Sequence, residues 1–153
     1  MNYDKFPETK IKGYDQEAFD DLSSMRQELL KKIHDVNCLV VDCYPGVDDE
    51  VLDFMQDVYE PEIVIRSEDI FYDKDKLYEM MKPHLTEDRV RGVMFYGVLE
   101  DFVNQKKLKE MKKVLHEQKR ILIYGVGAGL ISQGDLYIYC DLARWEIQCR
   151  YRQ

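Results

Sequence analysis

The chain alternates short apolar runs with longer stretches in which apolar residues recur every three or four positions. Cys38–Asp42, Ile63-Val64-Ile65, Ile121-Leu122-Ile123-Tyr124 and Leu136–Cys140 are the short runs. Such runs, lacking sustained polar alternation, suit strands covered on both faces. Between them lie helical patterns. Phe19, Leu22, Met25, Leu29 and Ile33 follow helical spacing behind Asp15 as a cap. Val51, Met55 and Val58 share one face of a helix over about 49–59 that Pro61 stops. Leu108, Met111 and Leu115 mark another over about 106–118, a shorter one is expected over 75–82 before Pro83, and a last one follows Asp141. Residues 90–98, with Gly92 and Gly97, read as either strand or loop. Strands separated by helices predict right-handed βαβ units, hence a three-layer α/β fold whose mainly parallel sheet carries helices on both faces.

Length and charge narrow the picture. The 153 residues suit one domain with a real core. Residues 1–14, polar with Pro7 and Gly13, are set apart as an N-terminal arm, and 15–153 are read as a single domain. The final helix runs into Tyr151-Arg152-Gln153 without a C-cap glycine, so the domain is expected to be the N-terminal piece of a longer protein. A net charge of −8 argues against nucleic acid as a partner. No apolar run approaches the roughly 20 residues of a membrane span. Cys38, Cys43, Cys140 and Cys149 form no C-x-x-C pair and read as reduced thiols of a cytoplasmic protein. His34, His84 and His116 are scattered among polar neighbours, so no metal site is expected. Lys106, Lys107, Lys109, Lys112 and Lys113 read as the solvated face of an amphipathic helix rather than an anion patch.

The chemistry concentrates in the stretch from Asn37 to Leu52. An apolar run, the turn Tyr44-Pro45-Gly46 and an acidic helix start stand where open α/β proteins place a phosphate. A phosphate loop would read G-x-x-x-x-G-K-[ST]. Aligned on Gly46, the first glycine position holds Val41, the lysine position Val47 and the Ser/Thr position Asp48. Asp42, Asp48, Asp49 and Glu50 would repel a polyphosphate. A second glycine cluster, Gly125-Val126-Gly127-Ala128-Gly129, lacks the third glycine of a dinucleotide loop because Leu130 stands there. A turn or a close backbone approach accounts for it better.

The order of these units resembles the uridine kinase and phosphoribulokinase branch of P-loop kinases over most of residues 36–152. Asp69-Ile70-Phe71-Tyr72 is similar to that branch's D-x-F-Y segment, which implies for Asp69 the role of base, here as a remnant. Tyr124 stands where the family carries a magnesium-organising acid. Leu136–Asp141, followed by Arg144 and Arg150, is similar to the strand and arginine-rich helix that close over ATP, with Arg152 extending the series. The resemblance thus implies a P-loop NTPase-like fold whose phosphate machinery is missing. A second resemblance joins the Asn2–Pro7 segment, Val41–Val47, Tyr124–Ala128 and Ala143–Gln148. It is to a domain found ahead of bacterial class I mannose-6-phosphate isomerase, a zinc-dependent cupin. No cofactor is then expected in these residues, the zinc belonging to the fused cupin.

The leading expectation is a non-catalytic domain, regulatory or architectural, partnered by a downstream isomerase domain or by copies of itself. Tyr44, Gly46, Arg144 and Arg150 are the candidate ligand-binding residues, for an anionic small molecule. An enzyme alternative is a nucleoside or sugar kinase that uses Arg144, Arg150, Lys119 or Arg120 in place of the missing lysine. A third reading is a docking or oligomerisation module, since 11 tyrosines exceed what a core satisfies easily. Trp145 is assigned to the core or to an interface.

Overall fold

The computed structural model describes residues 12–14, 17–88, 91–115, 120–150 and 152. Strands β1 (Cys38–Cys43), β2 (Ile63–Arg66), β3 (Ile121–Gly125) and β4 (Leu136–Cys140) form one sheet in the order β2-β3-β1-β4, all parallel. The helices are α1 (Leu22–Lys32), α2 (Glu50–Tyr59), α3 (Lys74–Met81), α4 (Gln105–Leu115), α5 (Ala128–Ile131) and α6 (Arg144–Arg150).

The strand runs are apolar at successive positions because the two central strands are covered twice. Leu39, Val41, Cys43, Leu122 and Tyr124 turn to one face and join Ile33 at the end of α1 with Leu52, Met55, Val58 and Tyr59 of α2. Val40, Ile65, Ile121 and Ile123 turn to the other, beneath α4 and α5. Val40, Val41, Leu122 and Ile123 are wholly buried, and each such side chain contributes about 1.5–3 kcal/mol. The α/β class and helices on both faces of a parallel sheet are therefore as expected.

Some boundaries differ. Helix α1 starts at Leu22, because the Asp21 carboxylate accepts from Ser24 N at 2.9 Å and caps it there. Asp15 lies outside the described residues, and Phe19 is exposed ahead of the helix. Residues 91–98 are irregular, which settles the open choice for that part in favour of loop. Trp145 is 69% exposed, so it is not a core residue of this chain. The lysines of α4 are exposed, as their face predicts. Among the described residues no helix is long and apolar enough to cross a membrane.

The strand order fixes where a ligand would sit. From β1 the chain leaves through α2 on one face, whereas from β3 it leaves through α5 on the other. The carboxyl ends of these neighbouring strands are a topological switch point, where open parallel sheets bind their ligands.

Candidate functional site at the carboxyl end of the sheet

The loop after β1 is a tight turn. Tyr44 N donates to Cys140 O at 2.8 Å, and Val47 N donates back to Tyr44 O at 3.1 Å. Pro45 supplies no N–H, and Gly46 takes φ +98, as the third residue of a type II turn requires. Two amides of the loop, Tyr44 N and Val47 N, are thus engaged by β4 and within the turn. The helix that follows begins among Asp48, Asp49 and Glu50, whose negative charge already complements its positive end. Arg66 pairs with Asp49 at 3.3 Å.

Asp42 holds the centre. It lies in register with Gly125 on one side and Tyr139 on the other. Its Oδ1 accepts from Gly127 N at 2.9 Å, and its Oδ2 accepts from Gly129 N at 3.1 Å and from the Tyr137 hydroxyl at 2.7 Å. The glycine cluster therefore embraces a carboxylate of the chain itself. Close approach explains its composition. A Cβ on Gly129 would stand 2.9 Å from Asp42 Oδ2 and 3.0 Å from the Tyr137 hydroxyl, and one on Gly125 would stand 2.5 Å from Ser67 Oγ. Ser67, wholly buried, donates to Val126 O at 2.8 Å and ties the end of β2 to the same loop.

Above Asp42 opens a cleft of about 470 Å³, with Tyr44, Glu100, Gln133, Tyr137 and Tyr139 among its lining residues. Tyr137 and Tyr139 reach it because they alternate with Leu136, Ile138 and Cys140 along β4, and both remain partly exposed. No lysine, arginine or histidine is among the described residues that line it. Burial and the hydrogen bond to Asp42 push the Tyr137 hydroxyl up to about 12. Tyr139 is raised too, by desolvation and then by the fields of Asp141 and Asp42. The cleft is thus electronegative.

Of the residues expected in a site, only Tyr44 lines this cleft. Gly46 and Arg150 border a smaller hollow of about 330 Å³ with Leu142 and Ile147 on the other side of the turn. The Arg150 guanidinium is committed there: it pairs with Asp48 at 2.8 Å and Glu146 at 2.7 Å, and donates to Gly46 O. Its i,i+4 partner Glu146 acts as helix support. Arg144 is exposed on α6 and forms no ion pair with a described residue. Asp69 is exposed in the 3-10 turn Ser67–Ile70 and does not line the cleft. Arg120 stands at the opposite, amino end of β3, where it donates to Tyr59 O and Glu60 O and stacks 4.8 Å over the Tyr59 ring. It cannot replace a phosphate-binding lysine from there, and Lys119 lies outside the described residues. Tyr124, buried, donates its hydroxyl to Asp48 O at 3.1 Å and braces the turn against β3.

On the face opposite the cleft, Cys43 and Cys140 are direct register partners. The hydrogen bond between their thiols lowers the pKa of Cys43 and raises that of Cys140. Among the described residues no group of three His, Cys, Asp or Glu side chains is placed to hold a metal ion.

Asp42, Glu100, Gln133, Tyr137 and Tyr139 were not assigned to a site from the sequence. A signal existed for two of them: the alternation Leu-Tyr-Ile-Tyr-Cys places both tyrosines on one face of an edge strand.

Residues 22–153 match the profile of a family described as a domain of unknown function (DUF8485), and the chain belongs to that family. No curated protein and no solved structure matches it significantly.

Proposed function

We propose that this domain is a non-catalytic, P-loop-kinase-like unit, regulatory or architectural, of the kind that accompanies a sugar-phosphate isomerase. One observation carries the non-catalytic reading: four backbone amides at this end of the sheet are met by the chain's own acceptors. Tyr44 N and Val47 N are taken by Cys140 O and Tyr44 O, and Gly127 N and Gly129 N by Asp42. Phosphoryl transfer needs donors and cations that are free to meet the phosphates, and Arg150 is held by two carboxylates. The kinase-like ancestry draws support from the parallel sheet and from a strand–turn–helix unit at its switch point. For the isomerase association, three of the four shared segments (41–47, 124–128 and 143–148) gather at one end of the sheet. The fourth, at 2–7, lies outside the described residues.

The test is a thermal-shift series with ATP, ADP, nucleosides and sugar phosphates, with and without magnesium, on the parent and on Val47→Lys. Neither protein is expected to respond, because a lysine at position 47 leaves the turn amides occupied. Saturation at a hundred times Kd would contribute about 2.7 kcal/mol and raise Tm by several degrees. Magnesium-dependent ATP turnover by the parent would overturn the proposal.

A second reading, a docking module, is favoured by the open side of β4. Its outer edge pairs with no described strand, and Tyr139 on β4 and Trp145 on the following helix are both more than half exposed. Light scattering at high concentration checks it; a strict monomer, alone and with an added isomerase domain, counts against it.

A further inference from the structure

We propose that the cleft above Asp42 is a binding site for a small organic cation of the alkylammonium class. The geometry points away from the anion expected from the sequence. Two carboxylates, Asp42 and Glu100, and three tyrosines, 44, 137 and 139, contribute to the lining, while the described lining holds no basic side chain. Asp42 sits at the base of the cleft, its carboxylate fixed by three donors, Gly127 N, Gly129 N and the Tyr137 hydroxyl. Tyrosine rings attract an ammonium through their quadrupole, most strongly where water is partly excluded. Tyr139, 56% exposed, lines the cleft. Burial first, and the carboxylates of Asp42 and Asp141 after it, hold the Tyr137 and Tyr139 hydroxyls above the usual tyrosine range, so both remain neutral beside a bound cation. Gln133, also in the lining, donates its amide to Gly129 O at 3.1 Å. The volume of about 470 Å³ lies within the range of small-molecule sites.

This site goes beyond the loss of phosphate binding and does not depend on kinase ancestry. The probe is choline, compared with 3,3-dimethylbutan-1-ol, its uncharged isostere, and with ATP and magnesium. Binding to the full chain is followed by amide and tyrosine ring NMR shifts. Choline is expected to move Tyr44, Gly129, Tyr137 and Tyr139, to weaken with added salt, and to exceed the isostere clearly. Glu100→Gln is expected to weaken it about fivefold, the scale of one carboxylate a few ångströms away near the surface. Tyr139→Leu is expected to weaken it about two- to fivefold, and Tyr139→Phe to retain it. Equal binding of the isostere, shifts confined to other parts of the chain, or silence with choline at tens of millimolar would each overturn the proposal. ATP binding would overturn the non-catalytic reading above and leave the choline result standing.

Discussion

The Tyr137 hydroxyl donates to Asp42 Oδ2 across 2.7 Å, joining the edge strand to the central strand through a carboxylate that also accepts two glycine amides. This cluster fills the place at the switch point where a ligand's negative group would meet the backbone.

Asp42→Ala is therefore expected to destabilise the fold by about 2–4 kcal/mol, since it strands two partly buried amide donors. Tyr137→Phe removes one donor at an exposed position and is expected to cost about 0.5–1.5 kcal/mol. Urea unfolding at neutral pH measures both. Equal losses would contradict the central position given to the carboxylate.

Gly129→Ala tests the same contact from the backbone side. The added methyl would sit 2.9 Å from Asp42 Oδ2 and 3.0 Å from the Tyr137 hydroxyl. A loss of about 1–3 kcal/mol is expected, as for overpacking, although alanine ordinarily favours a helix. Adding Tyr137→Phe, which removes one of the two clashing oxygens, should recover part of that loss in a double-mutant cycle.

Alkaline pH should destabilise the protein in part through Tyr59, alongside the raised hydroxyls of Tyr124 and Tyr137. The Tyr59 ring is wholly buried, its hydroxyl donates to Val36 O at 3.1 Å, and burial pushes its pKa up to about 12, with Arg120 opposing. The folded value lies above the unfolded one, near 10. The stability it contributes is thus complete below pH 10 and is lost as pH rises toward 12, at up to about 1.4 kcal/mol per pH unit. In urea titrations between pH 9 and 12, Tyr59→Phe should flatten that decline. An unchanged slope would assign the decline to other groups.

Thiol reactivity should separate the cysteine pair. Because Cys140 hydrogen-bonds to Cys43 and lowers its pKa, Cys140→Ala should move alkylation of Cys43 to higher pH. Mass-resolved alkylation across a pH series reads this directly; a shift to lower pH would reverse the assignment of donor and acceptor.

The strands were legible because β1 and β3 are buried on both faces and so had to be apolar at successive positions. Helix starts were harder to read. Asp15 and Asp21 both precede the same apolar series, and only the packed chain selects Asp21 by seating Ser24 against it. Trp145 was assigned to the core or to an interface, and its exposure removes only the core; α6 instead reaches the rest of the chain through Arg150 on Gly46 and Asp48, a contact spanning about a hundred residues. The site shows the same divide. Tyr44 was visible as part of a local motif. Asp42 gathers partners 85, 87 and 95 residues away, and no local pattern announces such a convergence.

The strand order also governs how the sheet comes into being. Among the described residues β1 pairs with β3 and β4, and β2 with β3 alone, so the first two of these strands to be made do not bond to each other. A nascent chain that has not yet passed Ile121 holds two apolar strands and no sheet. The sheet therefore waits for β3, which inserts between β1 and β2 and completes the ladders to both before β4 adds a third on the outer side of β1. Such non-local closure is intrinsically slow and leaves bare strand edges exposed until it occurs.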